Sequence, residues 1–172
     1  MEIDWAEIVR EYGPLVWKTA WRVLGQEADA ADCFQETLVS ALEVARKGPV
    51  KHWAGLLTRL ATARALDALR RRMRRERRDE AVPLEEEAAK QLGPLEEAQA
   101  AELGERLMAA LAELPEQQGQ AFCLQHMSGM SYEEIAAELG ISVDGVGTAL
   151  FKARSNLRLA LGNLMADECG QR

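Results

Sequence analysis

A short arginine-rich segment offers the most concentrated chemistry in this sequence. Seven of the nine residues from 70 to 78 are arginines. Guanidinium groups stay charged and donate paired hydrogen bonds to phosphate oxygens, so the segment is suited to binding a polyanion rather than to catalysis. A merely solvated helix end is the less favoured alternative, because like charges this close repel one another without an anionic partner. The seven are Arg70, Arg71, Arg72, Arg74, Arg75, Arg77 and Arg78.

Other reactive residue types are too scattered to form a catalytic or metal site. Three cysteines, Cys33, Cys123 and Cys169, lie far apart without a CxxC pair, and the only histidines are His52 and His126. We find no phosphate-binding glycine loop and no Ser–His–Asp set. We therefore expect no enzyme activity, metal, cofactor or small-molecule substrate. The cysteines should be reduced thiols, and whether they sense redox state stays open.

A second informative segment is SYEEIAAELGISVDGVGTAL, from Ser131 to Leu150. Ser131 and Glu134 have the spacing of a capping box, and Gly140 can end the helix that they begin. Ser142 can then cap a second helix. This pattern is typical of a helix-turn-helix, whose second helix enters the DNA major groove. The alternative is a helical hairpin without a role in DNA binding.

Charge is distributed unevenly around these two segments. The net charge is −7, yet residues 1–78 hold 15 basic and 11 acidic side chains. Residues 79–106 hold two basic against nine acidic groups, and residues 107–161 three against six. Net charge is therefore a poor guide to the partners of this chain. No apolar run approaches the roughly 18 residues of a membrane span, so we expect a cytoplasmic protein without membrane insertion.

Helix formers dominate the sequence, which predicts an all-α fold of two small helical domains joined by a linker. We place the domains at residues 1–78 and 99–165, each with its own compact core, and an acidic linker at 79–98 with Pro83, Gly93 and Pro94. That linker is a candidate to fold back onto the arginines. Periodicity predicts helices at 28–45, from 53 into the arginines, at 103–114 and at 116–127. For the helix at 28–45, the residues predicted to face the core are Ala31, Phe34, Leu38 and Leu42.

Together these segments resemble an extracytoplasmic-function (ECF) sigma factor, the bacterial subunit that directs RNA polymerase to promoters. Three segments carry the resemblance: DAADCFQETLVSAL (29–42), WAGLLTRLATARALDALRRRMRR (53–75) and LPEQQGQAFCLQHMSGMSYEEIAAELGIS (114–142). They match the family's regions two and four in order, over about residues 3–162. The resemblance implies binding to core RNA polymerase and promoter DNA, and an anti-sigma factor as partner.

The resemblance implies roles for two sets of residues in the first domain. One set would dock on the polymerase clamp helices: Asp32, Gln35, Glu36 and Val39. The alternative is that these residues simply form the solvent-exposed face of an amphipathic helix. Trp53 could stack on a base of the melted strand, although a lone tryptophan at a helix start is more often a core anchor. The residues expected to hold that strand are Lys51, His52, Trp53, Arg59, Arg64, Arg70, Arg71 and Arg74.

In the second domain the resemblance implies promoter contacts from the helix-turn-helix. The family commonly has cationic or polar residues where this chain has Gly119, Gly145, Gly147 and Ala149. The domain therefore either recognises an unusual upstream element or binds DNA weakly and mainly contacts the polymerase flap. A polymerase-binding decoy and a stand-alone regulator are the alternative functions. The expected DNA contacts are Ser142, Val143, Asp144, Gly145, Thr148, Lys152 and Arg154.

Overall fold

The computed structural model describes residues 3–79 and 95–169, and all regular structure within these ranges is helical. This confirms the predicted all-α class. None of these helices combines the length and the apolarity that crossing a bilayer requires. The helices are α1 (Trp5–Leu24), α2 (Glu27–Lys47), α3 (Trp53–Asp79), α4 (Leu95–Glu113), α5 (Glu116–His126), α6 (Tyr132–Leu139) and α7 (Val143–Cys169).

Local sequence signals set several helix ends. Helix α1 begins after Asp4, whose carboxylate accepts a hydrogen bond from the backbone N–H of Glu7, and ends at Gly25 in the left-handed conformation (φ 65°). Helix α6 begins at the predicted capping box: Ser131 and Glu134 each accept a hydrogen bond from the other's backbone N–H. Gly140 (φ 65°) then ends α6. These ends need no tertiary contact, because each is made by residues within one turn.

Helix α2 presents a different face to the core from the predicted one. Ala31, Phe34, Leu38 and Leu42 are only half-buried, and the buried residues are Ala30, Cys33, Thr37, Ser40 and Ala41. The buried set is small, which lets α2 approach α3 closely enough for the Cys33 thiol to contact the carbonyl oxygen of Ala61 at 3.6 Å. The larger apolar residues flank this contact; Phe34, for example, packs on Trp17. The predicted stripe was therefore wrong by one position.

Most of the predicted linker, residues 80–94, lies outside the described residues, as does its predicted folding onto the arginines. Helix α4 begins at Leu95, so residues 95–98 of the predicted linker are helical.

The two halves of the chain share one core, in contrast to the separate cores that we predicted. Leu66 and Leu69 of α3 are fully buried in one cluster with Leu111 of α4, Cys123 of α5 and Ala153 of α7. Complete burial of a leucine side chain contributes about 1.5–3 kcal/mol. Smaller clusters lie at either end, one within α1–α3 and one within α5–α7. Helix α3 thus packs against the other helices of the first half and also against helices of the second half.

Candidate nucleic-acid interface

The predicted polymerase-binding residues lie on the solvent side of α2. Asp32 and Gln35 are exposed, and Val39 is 57% exposed although it is apolar. Glu36 is half-buried and forms an ion pair with Arg71 at 3.8 Å. Three of the four are therefore exposed and free to meet a partner.

The same side of α2 faces the arginines of α3 across a groove. Asp29, Asp32 and Glu36 line one wall, and four arginines, Arg71, Arg74, Arg75 and Arg78, line the other. Arg72 is held more firmly, because it donates to Asp29 at 3.1 Å and to the carbonyl oxygen of Leu24 at 2.9 Å. Two surfaces that the sequence assigns to different partners thus partly neutralise each other.

Arg59, a predicted DNA-binding residue, is covered by the second half of the chain. Its Nε lies 3.5 Å from Oε2 of Glu138 on α6, and both side chains are mostly buried. Gly55, one turn earlier, leaves room for this contact, because a Cβ atom there would clash with the carboxylate of Glu138. The first helix of the helix-turn-helix therefore rests on the beginning of α3.

Arg70 is engaged in the same way further along α3. It donates to the carbonyl oxygens of Ala112 and Leu114, each at 3.2 Å, and so caps the end of α4. It also forms an ion pair with Asp67 at 3.2 Å. Gly119 of α5 lies against this part of α3. A Cβ atom at Gly119 would contact Leu66 at 3.4 Å and Arg70 at 3.6 Å.

The other predicted melting residues have mixed surroundings. Lys51 and His52 are exposed in the loop before α3. Trp53 is half-buried and makes an edge-to-face contact with Trp5 at 5.6 Å, which supports its role as a core anchor. Arg64 hydrogen-bonds to Oγ of Ser40 through two of its nitrogens. Arg74 is exposed beside the groove.

The predicted DNA contacts of the helix-turn-helix lie on the exposed start of α7, except for Gly145 and Arg154, which are half-buried. The Ser142 hydroxyl accepts from the backbone N–H of Gly145 at 3.0 Å and caps the helix. Val143, Asp144, Thr148 and Lys152 are exposed. Arg154 is instead half-buried and donates to Oε1 of Gln125 at 2.9 Å.

Sequence reasoning missed Phe151, which is 73% exposed on the same side of α7. It follows Val143 and Gly147 at four-residue intervals, so helical periodicity alone would have placed it on the predicted DNA-binding face. Phe151, Val143, Gly147 and Thr148 line one shallow groove with Tyr132 and Asp144.

Two titratable groups near the helix-turn-helix are shifted. The backbone N–H of Ser131, and then its hydroxyl, hold the pKa of Glu134 below its ordinary value. Partial burial, and then the charge of Arg154, lower the pKa of His126. His126 therefore favours its neutral form beside Phe122, 4.5 Å away between ring centroids. Within residues 3–79 and 95–169 no cluster of His, Cys, Asp and Glu suits a metal ion.

Comparison with known proteins gives consistent matches along the chain. Residues 8–75 match the family model for Sigma-70 region 2, and residues 104–157 match that for Sigma-70, region 4. The ECF RNA polymerase sigma factor SigE of Mycolicibacterium smegmatis is 34% identical over 157 residues, which are 90% of this chain and 60% of that protein.

Two solved structures share the fold. One is the sigma factor RpoE in complex with the anti-sigma factor NepR from Bartonella quintana (TM-score 0.54, 23% identity, covering 92% of this chain and 97% of that one). The other is CnrH in complex with the cytosolic domain of CnrY (TM-score 0.56, 22% identity, 92% and 87%). With regions 2 and 4 matched in order over most of the described residues, this chain belongs to the sigma-70 family, in its ECF group.

Proposed function

We propose that this chain binds core RNA polymerase and directs it to promoter DNA, where it assists melting of the duplex. The observation that carries the proposal is the exposed face of Asp32, Gln35 and Val39 on α2, within the region-2 match. Carboxylate and amide groups around an apolar residue suit an interface that is oriented by charge-assisted hydrogen bonds. This function requires no catalytic residue of the chain itself.

The proposal assigns roles along the chain. Residues 1–78 would bind the polymerase and hold the melted strand, and residues 99–165 would contact the upstream element and the polymerase flap, with 79–98 as linker. Basic side chains such as Lys51, Arg74 and Arg75 are exposed and suited to following a single-stranded phosphate backbone. Cytoplasmic location belongs to the same proposal.

Run-off transcription with purified core polymerase and a pool of randomised promoters tests this function. We expect the wild-type chain to start transcripts from a subset of templates that core polymerase alone ignores. A chain that binds core polymerase and starts no transcript would be a decoy. A chain that binds DNA and does not bind core polymerase would be a stand-alone regulator.

A charge-reversed variant tests the α2 face directly. Asp32→Lys should weaken binding to core polymerase by at least about tenfold, because reversing one partner of an interfacial charge pair costs about 2 kcal/mol or more. Glu27→Lys is the matched control. It is an exposed acid on the same helix, about 140° around the axis from Asp32. Equal losses in both variants would contradict the assignment of this face.

An anti-sigma factor is a further proposed partner. The RpoE relative was solved with the anti-sigma factor NepR, and CnrH with the cytosolic domain of CnrY. A partner that covers the α2 face should slow backbone amide exchange in the part of α2 that holds Asp32 and Val39, and hydrogen-exchange mass spectrometry of the complex would measure this.

A further inference from the structure

The start of α7 presents an apolar face where a helix-turn-helix presents its base-reading residues. Phe151 is 73% exposed and Val143 42% exposed. The two residues are eight positions apart, so their Cα atoms are separated by about 12 Å along the helix.

The groove between these residues carries no cation. Its lining side chains are Tyr132, Val143, Asp144, Thr148 and Phe151, with Gly147 at its floor. Guanine is read in the major groove mainly by arginine or lysine, which donate to O6 and N7. Arg154 is the predicted arginine contact on this helix, and Gln125 holds its guanidinium. With Arg154 held, Lys152 is the one exposed cation among the predicted contacts of this helix, so guanine reading would depend on a single side chain.

Apolar side chains in the major groove contact the C5-methyl group of thymine. Exposed cations lie further along α7, at Lys152 and Arg158, where they complement the phosphates that border a groove. The apolar face and its cationic flank together match the two parts of a duplex, base edges and backbone. Docking of a protein on this face is therefore one of the outcomes that the test below distinguishes.

We propose that α7 selects its upstream element by contacting thymine methyl groups with Phe151 and Val143, with Gly147 allowing the close approach. This inference rests on the proposed promoter-binding function and names the bases that this helix reads. A Cβ atom at Gly147 would meet only Tyr132, at an ordinary 3.8 Å, so the fold itself tolerates a side chain there.

The test uses the full-length chain with core polymerase. Templates with a randomised upstream element are first selected by run-off transcription, and thymines in the selected element are then replaced singly by deoxyuridine, which lacks only the methyl group. We expect each contacted methyl to contribute about fourfold to open-complex formation, equivalent to about 0.8 kcal/mol. Deoxyuridine outside the element should have no effect.

Phe151→Ala identifies the protein group involved. This variant should form holoenzyme normally. At one position of the element, its open-complex formation should no longer differ between thymine and deoxyuridine. Leu159→Ala is the matched control, because Leu159 is 62% exposed on the same helix about two turns further on. It should keep the sensitivity of the wild type.

Each other result has a distinct meaning. A selected element without methyl-sensitive thymines, or one read through guanine, overturns the inference and leaves the proposed function intact. Weaker binding of Phe151→Ala to core polymerase also overturns it, because the face would then dock a protein. Absence of any transcript with the wild-type chain removes the proposed function, and the inference fails with it.

Discussion

Gly119 occupies a position where any side chain would point at α3. A Cβ atom there would contact Leu66 at 3.4 Å and Arg70 at 3.6 Å, so alanine fits and a long cationic side chain does not. The resemblance to ECF sigma factors implies that arginine is common at this position. The departure at Gly119 therefore has a structural explanation: in this chain α5 lies against α3, and the guanidinium of Arg70 already fills the space.

We predict opposite outcomes for two substitutions at this residue. Gly119→Ala should keep or raise the melting temperature, because alanine is a better helix former than glycine by up to about 1 kcal/mol. Gly119→Arg should destabilise the chain by about 1–3 kcal/mol, as overpacking does, with added repulsion from Arg70. Thermal unfolding measures both. Equal stability of the two variants would show that α5 does not rest on α3 in solution.

The two buried thiols should be unreactive in the folded chain. Burial raises the pKa of Cys33 to about 11 and that of Cys123 to about 12, so almost no thiolate exists at pH 8. Alkylation at pH 8, followed by mass spectrometry in a Cys169→Ser background, should label neither residue until denaturant is added. Rapid labelling of the native chain would contradict their burial and reopen a redox role.

Helix α6 shows how the stability of a single helix depends on its neighbours. Helix α6 spans only Tyr132–Leu139, too short to be stable alone, so its cap and its packed face must compensate. Ile135 and Ala136 provide the buried face against α5 and α7. The beginning of the helix-turn-helix therefore depends on both a local and a tertiary contribution.

We predict that Ser131→Ala destabilises the chain by about 1 kcal/mol, because a backbone N–H at the start of α6 loses its acceptor. Urea unfolding would measure the loss. Ser128→Ala is the control, since Ser128 lies in the preceding turn outside the cap. A loss of the same size in the control would show that the capping box is not the cause.

The cap also has a pH dependence. Hydrogen bonds from Ser131 lower the pKa of Glu134 in the folded chain, so the contribution of this carboxylate is complete above its unfolded pKa of about 4.5 and is lost as the pH falls through the folded value. Urea unfolding from pH 6 to pH 3 should therefore show a smaller loss in Glu134→Gln than in the wild type. Identical pH profiles would contradict this role of the carboxylate.

The whole molecule adopts a closed arrangement in which the two halves cover each other. Arg59 is paired with Glu138, Arg70 caps α4, and Arg22 donates to the carbonyl oxygen of Met127. Two of the eight predicted melting residues are thus engaged by the second half of the chain. The engaged atoms of Arg59 and Arg70 would be open to DNA only if α6 and the end of α4 moved away from α3.

A charge reversal at this contact should open the chain. Glu138→Arg places a cation against Arg59 and should increase the radius of gyration in X-ray scattering and the affinity of the free chain for single-stranded DNA. The double variant Arg59→Glu, Glu138→Arg restores the opposite charges and should recover the compact radius. The pair is mostly buried, so its removal should exceed the 0–1 kcal/mol of an exposed pair. An unchanged radius in the single variant would refute this account of the closed state.

The sequence by itself determined the all-α class and the helix ends that adjacent residues make. Gly25, the Ser131–Glu134 pair and Gly140 act within one turn, so their effects could be read from spacing alone. The four-residue intervals that place Val143, Gly147 and Phe151 on one face of α7 were also present in the sequence. The exposed acidic face of α2 could be placed too, although its buried side was predicted one position out.

Only the tertiary structure decided which charged residues are free. Arg59, Arg70 and Arg72 look alike in sequence, yet each is held by a different partner far along the chain: Glu138, the end of α4, and Asp29. The single core shared by α3, α4, α5 and α7 was equally beyond prediction. Periodicity shows that a helix has an apolar face, whereas the neighbour that covers it depends on how small residues such as Gly55 and Gly119 allow distant helices to approach.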